Sequence, residues 1–375
     1  MKENQKKYQR IIIKIGSRLL SLDKGGLNKA FVNKIAKQIS DLHKEGVQVV
    51  IVSSGAISAG MNELGWKERP KSVPDRQALA AIGQSKLMHL YEEIFQKYEL
   101  QVAQVLLTEE DLKNRHRYLN ARNTLLRLLE MGIIPIINEN DTVAVDELKI
   151  GDNDTLSARV ASKVEADVLI LLTNVDGLYT QNPDKKKGGE IIPVVEKITE
   201  EIETMADGVT NVFGTGGMIT KIQAAKVAVN SGVTLFIVNG AIQNIINRIY
   251  QGENIGTKFI SQQNRKLSSR ERWIAFGSGN SNNRIVIDDG AKKALVEKGK
   301  SLLPSGIVKI EGDFQPGDVV QILDTQKNEI ARGLVNYNSE EVNKIKGLKS
   351  SQIESALGYK GYDEVVHRDN LVLME

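Results

Sequence analysis

The sequence predicts an α/β fold in which helices sandwich a mostly parallel β-sheet, followed by a small β-rich, barrel-like C-terminal domain. Up to about residue 260, short β-branched runs alternate with amphipathic helical patterns, which is typical of strand–helix–strand units. The runs are almost entirely apolar, as in parallel strands that are covered on both faces. Beyond residue 272, the predicted strands are shorter and lie between turn signals, which favours a separate β-rich module.

Six apolar runs are the predicted strands of the first domain: 11–15, 47–52, 102–107, 133–137, 168–172 and 233–238. The stretch between the first two strands is predicted to be helical, because Leu27, Phe31, Ile35, Ile39 and Leu42 recur every three or four residues and so share one helix face. Repetition of this order builds a sheet with helical layers on both sides.

A change in composition marks the predicted domain boundary. Residues 261–272 are polar and poor in apolar side chains, and we predict that they link an N-terminal domain, 1–260, to a C-terminal domain, 273–375. The predicted strands of the second domain are 285–287, 307–310 and 319–323. Proline and glycine between them indicate tight turns.

Composition and charge exclude several classes of function. The net charge is only +3, and there is no cysteine, which rules out disulfides, thiolate metal sites and a cysteine nucleophile. The four histidines lie far apart, without the spacing of metal ligands. The apolar run at 11–13 is broken by Lys14 and is too short for a signal peptide. No run reaches the ~20 apolar residues that span a membrane, so we expect a cytoplasmic protein without membrane contacts.

Two clusters of small or basic residues follow the first two predicted strands. In open α/β sheets, ligands bind beyond the carboxyl ends of the strands, where Lys14 could reach a phosphate and Gly16 would let the backbone come close. The alternative is a lysine that shields an edge strand. After the second strand, the run 53–56, Ser-Ser-Gly-Ala, would leave backbone N–H groups free for an anion. Its alternative is a helix N-cap.

Two polar clusters could hold a zwitterion. They are 138–141, Asn-Glu-Asn-Asp, and 151–154, Gly-Asp-Asn-Asp. Asn153 or Asp141 can accept hydrogen bonds from an ammonium group, and Asn138 or backbone N–H groups can donate to a carboxylate. The alternative is a pair of solvated turns in which Asp154 caps the helix that follows.

A glycine-rich run opens another predicted helix, which continues to about Ser231. The run 214–221 reads Gly-Thr-Gly-Gly-Met-Ile-Thr-Lys. It does not complete the motif G-x-G-x-x-G, because Ile219 stands where the last glycine is needed, and the motif G-x-x-x-x-G-K-[ST] does not occur in the sequence. Glycines before a helix still provide N–H donors for phosphate, to which Lys221 would add a positive charge. The alternative is a flexible loop with a surface lysine.

Taken together, the runs 13–17, 52–56, 138–141, 151–154 and 214–221 resemble the amino-acid kinase superfamily. The pair of polar clusters and the long glycine-rich loop are similar to those of members that phosphorylate the side-chain carboxylate of free glutamate. The runs 301–306 and 312–318 resemble a PUA domain. The resemblance implies ATP-dependent phosphorylation of L-glutamate, the first step of proline biosynthesis. It also implies inhibition by proline, and we expect a homo-oligomer.

The resemblance also implies roles for individual residues. Lys14 and Lys221 are the catalytic lysines, and Asp154 orients them. Glutamate lies against Ser54, Asp141 and Asn153, with Asn138 and Asp152 in the same clusters. The residues expected along ATP are Lys14, Thr173, Asn174, Thr215, Gly216, Gly217, Met218, Ile219, Thr220 and Lys221. Mg²⁺ is expected on the phosphates, without a metal site made by the protein.

Two residues depart from the family pattern. Asn174 stands where many members have Asp, so it keeps an acceptor but loses a charge. Ile219 stands where a small hydroxyl residue is common, so only its backbone N–H is available to a phosphate. Both departures fall on the predicted nucleotide contacts.

Two other functions compete with this interpretation. One is another amino-acid kinase, of the acetylglutamate kinase or aspartokinase type, against which the two polar clusters and the PUA-like tail argue. The other is an RNA-binding protein with a vestigial kinase fold. Residues 273–375 contain 13 basic and 15 acidic residues, whereas tight RNA binding usually needs clustered basic residues. Strong RNA binding is therefore not expected.

Overall fold

The computed structural model describes residues 8–22, 25–68, 70–144, 153–181, 189–207, 217–261, 271, 274–275, 283–359 and 361–374. The chain separates near residue 266 into two compact units. The predicted linker, 261–272, lies almost entirely outside the described residues. The predicted division at 260 and 273 stays a prediction.

The first unit alternates strands and helices along the chain. Its strands are β1 (Arg10–Ile15), β2 (Gln48–Ser53), β3 (Val102–Leu107), β4 (Ile134–Glu139), β5 (Val168–Thr173), β6 (Val194–Val195), β7 (Thr234–Asn239) and β8 (Thr257–Phe259). Its helices are α1 (Ser17–Leu20), α2 (Lys29–Lys44), α3 (Ala56–Glu63), α4 (Val73–Gln96), α5 (Glu109–Lys113), α6 (Arg115–Glu130), α7 (Asn153–Lys163), α8 (Glu200–Asp207), α9 (Met218–Asn230) and α10 (Ile245–Tyr250).

The strands form one eight-stranded sheet in the order β3-β4-β2-β1-β5-β7-β8-β6. All neighbours are parallel except β7 and β8, which confirms the predicted, mostly parallel sheet. Strand β1 pairs with β2 on one side and β5 on the other. It is therefore central, and the alternative in which Lys14 shields an edge strand is wrong.

Successive residues of β1 point to opposite faces of the sheet. Ile11 and Ile13 pack with α2, α4 and α10, whereas Ile12 packs with α6, α7 and α9. Lys14 stands two residues after Ile12 and so points to the face covered by α7 and α9. The alternation of side chains along β1 therefore lets Lys14 make contacts only on the α7 and α9 side of the sheet.

The second unit has its own sheet and core. Its elements are β9 (Arg284–Ile287), α11 (Asp289–Val296), β10 (Ile307–Glu311), β11 (Val319–Leu323), β12 (Glu329–Val335), α12 (Ser339–Ile345), α13 (Ile353–Leu357) and β13 (Val366–Leu373). The sheet order is β10-β9-β11-β12-β13, with β9 and β11 parallel and the other neighbours antiparallel. Ile285, Ile322 and Tyr337 lie in its core. The predicted β-rich C-terminal domain is confirmed.

Across the described part of both units, no helix is long and apolar enough to cross a membrane.

The main strand predictions are confirmed to within two residues at each end. Several strands run further at the carboxyl end than the apolar runs indicate, because they include the polar residues Ser53, Glu139, Thr173 and Asn239. A prediction based on runs of apolar residues ends each strand before these polar residues. They matter because ligands of open α/β sheets bind at these ends.

Helices α3 and α4 touch backbone to backbone at two glycines. A Cβ atom on Gly83 would lie 1.8 Å from the carbonyl oxygen of Ala56, and one on Gly60 would lie 2.0 Å from that of Leu79. No side chain fits at either position, so glycine is required for this approach. Helix α3 begins directly after the run 53–55, and the contact therefore holds that run against α4.

Helix α7 ends in a buried lysine. Lys163 is only 4% exposed, and its Nζ lies 3.9 Å from the centre of the Tyr118 ring. Within the part of the chain that the structure describes, no carboxylate pairs with it. Burial, with the positive charge of Arg159 as a second cause, lowers the pKa of Lys163 to about 7.

This lysine should make folding stability depend on pH. The lysine pKa is about 10.4 in an unfolded chain, so between about pH 7 and 10 the unfolded state binds one more proton, and this group makes stability rise with pH by up to about 1.4 kcal/mol per unit. Below pH 7 the penalty is constant. We expect Lys163→Met to be more stable than wild type at pH 7, with a gain that shrinks toward pH 10.

Urea unfolding of both proteins at pH 7, 8, 9 and 10 measures this difference. Lys97→Met is the matched control, because the Lys97 side chain is 58% exposed and its loss should leave the pH dependence as it is. A Lys163→Met gain that stayed constant over the whole range would contradict the lowered pKa.

Candidate active site

One buried carboxylate holds two buried lysines. Asp154 is 0% exposed, and Lys14 and Lys221 are each 6% exposed. Lys14 Nζ lies 2.5 Å from Asp154 Oδ1, and Lys221 Nζ lies 2.9 Å from Asp154 Oδ2. With all three groups charged, this cluster carries a net positive charge, which suits an anionic ligand.

The three residues come from three different elements. Lys14 is the last residue but one of β1, Asp154 is the second residue of α7, and Lys221 lies in the first turn of α9. An acidic residue in the first turn of a helix is also favoured by the helix dipole. Thr220 adds a hydroxyl 3.3 Å from Asp154 Oδ2, and this hydroxyl donates to the Gly217 carbonyl as well.

Two of the alternative interpretations from the sequence are wrong. Asp154 does not precede α7 as a cap, because the helix begins at Asn153 and the carboxylate faces the lysines. Lys221 is not a surface lysine, because it is buried on Asp154. Both residues are next to turn-like sequence, which is why their local pattern indicates an exposed role.

A second cluster joins the carboxyl ends of β2 and β4 to the start of α7. Asn153 Nδ2 lies 2.8 Å from Ser54 Oγ, 3.0 Å from the Ser53 carbonyl oxygen and 3.0 Å from Asn138 Oδ1. Asn138 is 3% exposed. The structure thus brings together three of the runs that the sequence marked as ligand sites, and Asn138 and Asn153 are not parts of solvated turns.

The run between β2 and α3 has a fixed backbone. Gly55 has φ = 101°, in the left-handed region that favours glycine. The N–H of Ser54 donates to the Ile15 carbonyl at 3.3 Å, and the N–H of Gly16 donates to the Leu172 carbonyl at 3.2 Å. The ends of β1, β2 and β5 are therefore tied to one another beside the lysines.

The remaining predicted residues lie around this centre or outside the described chain. Thr173 is buried at the end of β5, and the exposed Asn174 follows it, with Thr173 Oγ1 3.4 Å from Asn174 Oδ1. Asp141 is half-buried in the turn after β4.

The glycine-rich run is described only from Gly217 onward. Gly217 precedes α9 with no side-chain cap. In the first turn of α9, Met218 is buried and Ile219 is 38% exposed. Three of the predicted site residues lie outside the described residues: Asp152, Thr215 and Gly216.

Sequence reasoning missed two residues of α4 that contact these clusters. Gln84 Oε1 accepts a hydrogen bond from Asn138 Nδ2 at 2.9 Å, and the Tyr91 hydroxyl lies 2.9 Å from Ser53 Oγ. Burial raises the pKa of Tyr91 above its usual range. The two residues are seven positions apart on the buried face of the helix. The sequence signal that could have identified them is the pair of polar side chains, seven residues apart, on an otherwise apolar helix face.

The described residues contain no group of three or more His, Cys, Asp or Glu that could hold a metal ion. The described side chains offer positive charge and hydrogen bonding. Two ammonium groups aligned by one carboxylate can stabilise negative charge that develops on a bound phosphate. The neighbouring amides can orient a second polar ligand.

This chain is similar to two protein families and to individual known proteins. Residues 9–239 match the amino acid kinase family and residues 283–357 match the PUA domain. The chain is 54% identical over 366 residues to the glutamate 5-kinase of Thermoanaerobacter sp. (strain X514), covering 98% of each chain. It is 55% identical to the glutamate 5-kinase of Caldanaerobacter subterraneus subsp. tengcongensis, again covering 98% of each. Among solved structures, UMP kinase from Bacillus anthracis matches with a TM-score of 0.48 at 15% identity, covering 70% of this chain and 100% of that one.

Replacement of Asp154 by Asn should destabilise the fold. The shape is preserved, but two buried ammonium groups lose their counter-charge, and breaking a buried ion pair costs about 3–5 kcal/mol. Chemical denaturation at neutral pH measures the loss. Glu253→Gln is the control, because it breaks an exposed ion pair with Arg248 that is worth about 1 kcal/mol or less. Equal losses in the two variants would contradict the central role of Asp154.

Proposed function

This chain belongs to the amino acid kinase family and, within it, to the glutamate 5-kinases, and we propose that it transfers the γ-phosphoryl group of ATP to the γ-carboxylate of L-glutamate. The observation that carries the proposal is 54–55% identity to glutamate 5-kinases over 98% of both chains. The products are L-glutamyl 5-phosphate and ADP. The reaction is the first step of proline biosynthesis.

The chemistry needs no general base. A γ-carboxylate is ionised at neutral pH, so its oxygen can attack the γ-phosphorus directly while the bond to the β,γ-bridging oxygen breaks and ADP leaves. Both reactants are anionic, and catalysis of phosphoryl transfer consists mainly of positioning and charge stabilisation. The buried cluster of two lysines and one carboxylate supports this mechanism.

Each lysine has a role in the proposed reaction. Lys14 and Lys221 place positive charge beside the phosphoryl group in transfer, and Asp154 keeps their ammonium groups at fixed positions. Charge that is already in place before the reaction costs no reorganisation in the transition state. The buried position of all three groups strengthens their electrostatic effect, because little water screens them.

The nucleotide lies along the start of α9 and the end of β5 in this proposal. No side chain caps α9 at Gly217, and the first N–H groups of a helix suit phosphate oxygens. Ile219, which is partly exposed, offers only its N–H. Thr173 contributes from the end of β5, and Asn174 contributes from the position after it. Mg²⁺ would be held mainly by the phosphates, as is usual for this ion, where it would offset their negative charge.

Glutamate lies beside the amide cluster. Asn153 uses its Nδ2 within the protein, so its Oδ1 is the atom that can accept from the ammonium group of the substrate. Asp141 supplies a carboxylate for the same group, and Ser54 supplies a hydroxyl. Asn138 and Asp152 complete the proposed subsite.

Three further properties belong to the proposal. Proline inhibits at or near the glutamate subsite, and the enzyme is a homo-oligomer. The C-terminal unit does not bind RNA strongly, in keeping with its excess of acidic over basic residues.

Both lysines should be needed for turnover. Lys14→Met and Lys221→Met each remove a charge that matters most in the transition state, and we expect kcat to fall by about 10²-fold or more. A coupled assay of ADP release at saturating substrates gives kcat, and circular dichroism checks folding. Lys226→Met is the matched control on the same helix, because this partly exposed lysine pairs with Glu203. Near-normal kcat in either active-site variant would remove that lysine from the mechanism.

The site should discriminate strongly against N-acetylglutamate. Acetylation removes the positive charge and two donors of the substrate amino group, so the contacts proposed from this group to Asp141 and to Asn153 Oδ1 are lost. Unpaired buried polar groups cost about 1–3 kcal/mol each, so kcat/KM should fall on the order of 10³-fold relative to glutamate. The same ADP assay with glutamate, aspartate and N-acetylglutamate tests this. Similar rates with glutamate and N-acetylglutamate would refute the assignment, and a preference for aspartate or N-acetylglutamate would indicate a different amino-acid kinase.

A further inference from the structure

Four side-chain amides form a continuous chain of hydrogen bonds that ends at the proposed amino-acid subsite. Gln84 Nε2 donates to Gln104 Oε1 at 3.1 Å, and Asn138 Nδ2 donates to Gln84 Oε1 at 2.9 Å. Asn153 Nδ2 donates to Asn138 Oδ1 at 3.0 Å. Gln104 is exposed, whereas Gln84 and Asn138 are buried. The chain therefore runs from the protein surface through α4 and β4 to the first residue of α7.

Two backbone groups fix the direction of these amides. The N–H of Glu139 can only donate, and it lies 2.9 Å from Asn138 Oδ1, so the oxygen of that amide must face β4 and its nitrogen must face Gln84. The carbonyl of Ser53 can only accept, and it lies 3.0 Å from Asn153 Nδ2. The nitrogen of Asn153 must therefore face β2.

The consequence is that Asn153 presents an oxygen, not an amino group, on its remaining side. An oxygen suits the ammonium group of an amino acid. The opposite orientation would present two N–H donors to that ammonium group and leave the Ser53 carbonyl without this donor. Recognition of a free amino group thus depends on the orientation of Asn138, which receives one of the Asn153 hydrogen bonds.

Gln84 supplies the acceptor that stabilises this orientation of Asn138. Asn138 is 3% exposed, so without Gln84 Oε1 its amino group would be buried with a donor unsatisfied, at a cost of about 1–3 kcal/mol. Rotation of the Asn138 amide would relieve that cost only if the Asn153 amide rotated with it to present its oxygen, and it would break the hydrogen bonds from Glu139 N and Asn153 Nδ2. Gln84 follows Gly83, where a Cβ atom would lie 1.8 Å from the Ala56 carbonyl oxygen, so α3 lies directly against α4 beside Gln84.

We propose that Gln84 is a positioning residue for the amino-acid subsite, which acts through Asn138 to hold Asn153 in the orientation that accepts from the substrate ammonium group. This inference rests on the proposed function, because it takes glutamate as the ligand beside Asn153. Gln84 itself touches no substrate. Its loss should therefore weaken glutamate binding and leave ATP binding unchanged.

The test is Gln84→Met, which keeps the length of the side chain and removes both hydrogen-bonding groups. We expect the KM for glutamate to rise about tenfold or more, as the loss of 1–3 kcal/mol implies, while the KM for ATP stays within about twofold. Gln38→Met is the matched control. Gln38 is also buried, at 4% exposure, and its amide bonds Ile246 N and the Lys34 carbonyl, away from the subsite. Its loss should lower the melting temperature without changing either KM.

A conservative variant separates hydrogen bonding from packing. Gln84→Glu keeps an oxygen that faces Asn138, and the KM for glutamate should return to within about threefold of wild type. If Gln84→Met does not fold, Gln84→Ser removes the same acceptor and is judged by the same criteria.

Three results would overturn the inference: an unchanged KM for glutamate in Gln84→Met, equal increases in both KM values, or a Gln84→Glu variant as impaired as Gln84→Met. The activity of the wild-type enzyme with glutamate distinguishes a failure of this inference from a failure of the proposed function. If the wild-type enzyme releases no ADP with glutamate, the proposed function fails. If it does, and Gln84→Met matches it, only the role of Gln84 fails.

Discussion

The interaction on which the site depends is the pair of salt bridges from Asp154 to Lys14 and Lys221. Two lysines buried side by side without a counter-charge would repel each other and would be costly to desolvate. The carboxylate reduces that cost and still leaves the cluster positive. The sheet makes the arrangement available: β1 is central, and the alternation of its side chains points Lys14 to the face where α7 and α9 begin. A charged site is thus built from elements whose other residues are apolar core.

The sequence predicts the architecture well, because burial of parallel strands leaves a strong apolar signal. It predicts the site less completely. Asn138 and Asn153 were recognised as candidates, but nothing local to Asp154 indicates that its carboxylate faces residues 140 and 67 positions away; family resemblance supplied that role. The interpretations of Asp154 as a helix cap and of Lys221 as a surface lysine are wrong for the same reason. The first residues of a helix are often polar, and the sequence does not show whether their side chains face water or a buried partner.

Gln84 is a residue whose role the sequence does not predict. A glutamine within an apolar helix face is compatible with many local structures, and only the fold reveals that its acceptor faces Asn138. Hydrogen bonds between distant segments are set by tertiary packing, which periodicity does not encode. Sequence patterns therefore locate the elements that carry a site better than they locate the residues that orient it. The roles of all the candidate site residues stay predictions, and Asp152, Thr215 and Gly216 lie outside the described residues.

The glycine contact between α3 and α4 bears on the thermodynamics of ligand binding. Helix α4 has 24 residues, about 36 Å of helix, and its buried face is part of the main core. Through Gly60 and Gly83, the segment that carries Ser54 is joined to this long, packed element. A ligand that meets Ser54 therefore finds a segment that is already ordered, and little conformational entropy is lost there on association. Affinity at this edge of the sheet then reflects the contacts made rather than the ordering of a loop.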